Sequence, residues 1–143
     1  MPTGTIFADE LHTMIADMHD ANLYHELALF IEACESGSMF KGFDLKPYNA
    51  WAMTATDEVN PSYGTYCHPH DIVDGKHMYT CLGDLFSVSW MEFVEENMSS
   101  LSSLSLQDLH TAVKERTGEH SEVQSFGPTD DFIATYMVER LFP

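Results

Sequence analysis

Cys34 is the side chain in this sequence with the greatest capacity for covalent chemistry. It follows the apolar run Leu27-Ala28-Leu29-Phe30-Ile31 and stands in Glu32-Ala33-Cys34-Glu35-Ser36-Gly37-Ser38. A free cysteine is most often a small buried hydrophobe. One that leaves an apolar strand for small polar residues is expected to be exposed, with its sulfur available. A thiol becomes a useful nucleophile when a base takes its proton or a local field favours the thiolate. Backbone N–H groups around Gly37 are expected to help form an anion site. Ligand-type side chains also gather in Cys67-His68-Pro69-His70-Asp71, followed by His77 and Cys81. Three cysteines suggest one pair and one free thiol. Cys67, His68 or His70, His77 and Cys81 can equally be read as a zinc set, although their spacing matches no regular finger.

The elements that must position these residues are legible in outline. Leu11, Met14, Ile15 and Met18 recur at helical spacing, so residues 9–22 read as an amphipathic helix. The run Leu27–Ile31 does not alternate, which suits a strand buried on both faces of a helix-covered parallel sheet. Cys34 then sits just past the C-terminal end of a strand, where open α/β sheets place their chemistry. Residues 48–56 are a second strand candidate, and residues 84–97 are helical in character. Ser105 and Asp108 form a capping signal for a helix carrying Leu106, Leu109 and Val113 that stops near Gly118. A short strand over residues 122–126 and a final helix over residues 132–141 complete the reading. The serine-rich stretch 99–105 reads as a linker, and Trp51 and Trp90 as core residues. The order of elements fits an α/β layer architecture in one domain spanning 1–143.

Composition sets the outer bounds. The chain has 143 residues, 44% of them hydrophobic, so a core can be buried. Against 6 basic residues stand 23 acidic ones, for a formal net charge of −17. Such a surface repels phosphate backbones, which excludes nucleic acid as an expected partner. No apolar run has the length of a membrane span, and the first residues lack the basic and apolar regions of a signal peptide. Asn97-Met98-Ser99 is an N-glycosylation sequon.

Residues 32–40, Glu-Ala-Cys-Glu-Ser-Gly-Ser-Met-Phe, resemble the nucleophile motif of the legumain family of asparaginyl cysteine endopeptidases, the vacuolar processing enzymes of plants. Thr54-Ala55-Thr56, the stretch from Ser62 to Cys67, and the long stretch from Thr80 to Glu92 follow in the family's order, the last being closest to plant-type members. Met1-Pro2 and Ala8–Leu11 fit the stretch before the motif. The resemblance covers essentially the whole chain and is weakest beyond about Thr129. It implies a caspase-like fold, a mostly parallel sheet flanked by helices, with the N-terminal strands of that fold outside this chain. It implies cleavage after asparagine, secondarily aspartate, through an acyl-enzyme. Cys34 would be the nucleophile, its backbone N–H part of the oxyanion hole. Glu32, Ser62 and Asp84 would line the pocket for the substrate asparagine. Carboxylates suit the NH₂ end of that side chain, while its carbonyl end calls for a basic residue. The resemblance also implies a Cys67–Cys81 disulfide, which favours that reading of the loop over zinc.

In the family a His-Gly pair stands about forty residues before the nucleophile, a position upstream of Met1. The expectation is therefore that this polypeptide alone hydrolyses peptides very poorly, and needs neither metal nor organic cofactor. Two further readings remain: a non-catalytic relative acting as a binding or regulatory module, and a relative of the caspase-like transamidase that attaches lipid anchors. The expected partner is a peptide or protein with asparagine at the cleavage site. Vacuolar, lysosomal or secretory location is implied for a full-length precursor, and self-association through an exposed sheet edge is expected.

Overall fold

The chain's apolar patterning needs two faces to cover, and the sheet provides them. The structure, a computed structural model, describes residues 4–128, 133 and 135–142. Strand β1 (Leu27–Ile31) pairs in parallel with β2 (Ala50–Thr54), from Leu27 opposite Ala50 to Ile31 opposite Thr54. Strand β7 (Gln124–Phe126) runs antiparallel on the other side of β2, with Ala52 opposite Phe126. The main sheet is thus ordered β1-β2-β7. Two short ribbons lie outside it: β3 (Gly64–Thr65) with β6 (Gly83–Asp84), and β4 (Ile72–Val73) with β5 (Lys76–His77). The helices are α1 (Ala8–Asp20), α2 (Leu85–Glu96) and α3 (Leu106–Thr117).

Every residue of the central strand β2 is buried, and its side chains alternate between two cores. Trp51 and Met53, with Ala55 just beyond the strand, join Phe86, Val94, Leu106, Leu109 and Val113 under α2 and α3. Ala50 and Ala52 join Ile15, Phe40 and Leu45 under α1. The result is an α/β/α sandwich. Strand β1 behaves differently from expectation: all five residues are half-buried. Among the described residues it has a partner strand on one side only, so it is a sheet edge.

Local chemistry explains the boundaries. Ser105 caps α3 by accepting the Asp108 N–H at 3.2 Å, while Asp108 Oδ2 accepts the Ser105 N–H at 2.8 Å. The reciprocal box forms with aspartate in place of the more usual glutamate. Gly118 ends that helix at φ 57°, a conformation that favours glycine. Strand β2 starts later than the sequence suggests, because residues 46–48 make a 3₁₀ turn and Asn49 is left-handed at φ 48°. Within the stretch read as a linker, Leu101–Ser103 forms a 3₁₀ turn and buries Leu101. Residues 132 and 134 of the expected final helix lie outside the described residues, and residues 133 and 135 are helical. From residue 137 the chain is not helical as expected: Met137 bridges Ser105, and Val138–Arg140 form a 3₁₀ turn. The end of the chain returns to the start of β1, where the Tyr136 hydroxyl donates to Glu26 at 2.7 Å. Arg140 reaches the same carboxylate at 2.8 Å and lies 4.5 Å over the Tyr136 ring.

Candidate active site

Parallel pairing brings the C-terminal ends of β1 and β2 side by side, and the loops leaving them meet there. The loop after β1 carries Cys34, which is exposed and unpaired. Glu35 adopts φ 55°, and its N–H donates to Asn60 O at 2.9 Å. Ser36 is buried, and its hydroxyl bonds both the N–H and the carbonyl of Thr56. Gly37 donates to Thr56 O at 3.0 Å and Asp57 O at 3.1 Å. A Cβ at residue 37 would lie 2.8 Å from the Asp57 carbonyl carbon, so the contact between the two loops requires glycine. These bonds correct one expectation: the N–H groups of Glu35, Gly37 and Ser38 are spent within the loops and cannot serve an anion. Among the described residues no backbone acceptor takes the Cys34 N–H.

The loop after β2 is organised by Asp57. Its carboxylate accepts the N–H groups of Val59 and Asn60, at 2.9 and 2.8 Å, and the Asn60 side-chain amide at 2.8 Å. The bond from Val59 leads in holding its carboxyl below the usual range. This turn delivers Ser62 to Cys34. The Ser62 N–H points at the sulfur at 3.4 Å, and its hydroxyl lies 3.9 Å away.

Glu32 lies half-buried between the nucleophile loop and helix α2. Its Oε2 accepts the Ser87 N–H at 2.7 Å and thereby caps α2, whose own N-cap Asp84 makes no side-chain cap bond. Oε1 is buried with no hydrogen-bond partner. Burial raises the Glu32 carboxyl above its ordinary range, and the nearby charge of Asp84 adds to this. Hydrogen bonds from Ser87 and Ser62 pull the other way. A buried carboxylate oxygen without a donor is costly unless something supplies one. Asp84 itself is exposed at the end of β6, which pairs with Gly64 two residues beyond Ser62. Glu32, Cys34, Ser62 and Asp84 thus share one face, with an open thiol and an acceptor awaiting an N–H donor.

The other residues singled out fall elsewhere. Cys67 and Cys81 are joined by a disulfide, S–S 1.97 Å. Asn97 ends α2 with its amide donating to Phe93 O at 2.8 Å. The carboxylate of Asp71, which the zinc set read from the sequence did not include, is fully buried between His68 and His77. All eight histidines lie among the described residues, and none hydrogen-bonds the Cys34 sulfur, whose partners there all belong to Ser62. His12 holds α1 to the nucleophile segment through Met39 O at 2.6 Å and stacks on Phe43. His120 packs edge-on against Tyr63.

Comparison with known proteins identifies the family. A family model described as the Peptidase C13 family matches residues 1–140. The chain is 34% identical to the vacuolar-processing enzyme delta-isozyme of Arabidopsis thaliana over 96% of its length and 31% of the relative's. It is 39% identical to a vacuolar-processing enzyme of Citrus sinensis over 87% of its length and 25% of the relative's. A legumain of Canavalia ensiformis is 34% identical over 87% of the chain and 27% of its own length. The chain therefore spans roughly a quarter to a third of these relatives. With an α/β sheet that places an exposed cysteine at its strand ends, and a family match over nearly its whole length, this chain belongs to the peptidase C13 family.

Proposed function

We propose that this chain carries the nucleophile and the acidic half of the substrate pocket of a cysteine endopeptidase that cleaves after asparagine. The observation that carries the reading is the buried, unpartnered Oε1 of Glu32 beside an exposed Cys34. An asparagine side chain presents two N–H donors at its amide end, and one of them meets the orphan acceptor. Asp84 supplies the second carboxylate, and Ser62 spans the sulfur and the pocket. A glutamine, one methylene longer, carries its amide past that point. A pocket of buried polar groups rejects side chains that leave those groups unpaired.

Attack by Cys34 on the peptide carbonyl forms the acyl-enzyme and expels the amine. No histidine of this chain hydrogen-bonds the sulfur, so these residues alone hydrolyse slowly: general-base assistance is worth about 10²–10⁴ in rate. The same absence supports a second reading, a binding module that engages asparagine-bearing peptides without turnover. The edge of β1 is the surface through which self-association would run. A vacuolar location is in keeping with the chain's similarity to vacuolar-processing enzymes.

The test separates recognition from turnover. A short electrophilic peptide ending in asparagine, and its glutamine analogue, are incubated with the chain, and adducts at Cys34 are followed by intact mass. The asparagine probe is expected to react faster, with the preference lost in Glu32→Gln. Equal rates for the two probes would sink the reading.

A further inference from the structure

The Cys67–Cys81 loop folds into a hairpin that brings together three side chains the active site does not use. Asp74 and Gly75 take φ 50° and 77°, the pair of left-handed residues a two-residue hairpin turn needs. Ile72 then pairs with His77, and Met78 N–H donates to Asp71 O at 2.9 Å, which sets Asp71 and His77 on facing strand ends. The Asp71 carboxylate is fully buried while both histidines stay open to solvent. Its Oδ2 accepts the Tyr79 N–H at 2.6 Å. Its Oδ1 meets His77 Nδ1 at 2.7 Å and His68 Nδ1 at 3.5 Å. One donor atom from each residue falls within 4.8 Å of the others.

We propose that His68, Asp71 and His77 form a binding site for a zinc-class divalent ion. Two imidazoles and one carboxylate are the ligand set that suits Zn²⁺ and its transition-metal neighbours, whereas Mg²⁺ and Ca²⁺ want oxygens. Tetrahedral zinc with bonds of about 2.0–2.2 Å holds its ligand atoms about 3.3 Å apart. The two separations above bracket that value and the remaining one is no more than 4.8 Å, so rotation of the two solvent-exposed imidazoles admits the ion. Tyr79 fixes the carboxylate from behind, as ligating carboxylates are commonly held. The disulfide closes the loop and takes both sulfurs out of competition. A net charge of −17 raises the local concentration of cations. The fourth position stays open to water, or to a donor from another molecule. A carboxylate serving only to lock the hairpin would need the Tyr79 bond and one imidazole. The second imidazole, reaching in from before the hairpin, is what points to an ion.

The experiment uses the full chain, oxidised, with Cys34→Ser to remove the free thiol as a rival ligand. Zn²⁺ binding is measured by competition with a chromophoric chelator. One ion per chain is expected, weakened ~10-fold or more by His68→Ala and by His77→Ala, and little changed by His70→Ala. Because a variant could disturb the hairpin, a second reading is taken on the unaltered loop. Trypsin cleaves after Lys76, next to His77, and Zn²⁺ is expected to slow that cut relative to the cut after Lys41 in the same digest. Binding undiminished in His68→Ala/His77→Ala, or an unprotected Lys76 with zinc bound, overturns the proposal.

Discussion

At the scale of residues, the site rests on a carboxylate held where it is costly. Glu32 is raised chiefly by burial, so the folded protein holds this proton more tightly than the unfolded chain. The sign follows: the penalty is absent below the unfolded carboxylate value, about 4.3, and complete above the folded one. Glu32→Gln keeps an acceptor for Ser87 and removes the charge. It is expected to stabilise the fold at neutral pH by less than about 1 kcal/mol, since the group is half-exposed and screened. The gain should vanish as pH falls through the carboxylate range, read by urea melts at several pH values. Stabilisation together with lost asparagine preference would mark Glu32 as a residue kept for binding. Gly37→Ala should do the reverse. Its methyl would strike backbone at Asp57, at a cost of about 1–3 kcal/mol, seen as a lower urea midpoint. The exposure of Cys34 was legible because its apolar run stops abruptly. The orphan oxygen was not, because it exists only once helix α2 sits over β1. Nor was Asp71, an ordinary loop aspartate until the hairpin buries it.

At the scale of elements, strong local signals translated directly into structure. The spacing of Leu11, Ile15 and Met18 gave α1 to within two residues at its end, and Ser105 with Asp108 gave the start of α3. That cap also gives a test. Ser105→Ala should cost about 1 kcal/mol, and the loss should shrink in acid. Asp108 is held below the ordinary aspartate range first by the Ser105 hydroxyl. Its contribution is therefore whole above the unfolded value and disappears as pH falls through the folded one. Thermal melts of both proteins across that range check it. The hairpin β4–β5 had an Asp-Gly turn in plain sight, but strands of two residues offer no alternation to count. The expected last helix stops short of its expected end for a tertiary reason: Met137 pairs with Ser105, and Val138 is drawn into the core under α3.

For the whole molecule, the layered α/β architecture followed from the order of its elements, and the half-burial of β1 did not, because exposure of an edge depends on what lies beside it. Among the described residues no helix is long and apolar enough to cross a membrane. The two cores lie on opposite faces of the sheet, and β2 is its fully buried strand, so the sandwich depends on that strand. Its neighbour β1 is fastened at the start by Glu26, which is gripped by Tyr136 and Arg140 from more than a hundred positions away. That grip has a consequence for biosynthesis. A nascent chain still lacking everything past Thr135 has its nucleophile loop and the residues that pair β1 with β2, but not the clasp on Glu26 at the start of that strand. Closures of such long sequence separation come late and slowly, so the setting of the thiol is complete only once the segment from Tyr136 to Arg140 has been made and has folded back onto Glu26.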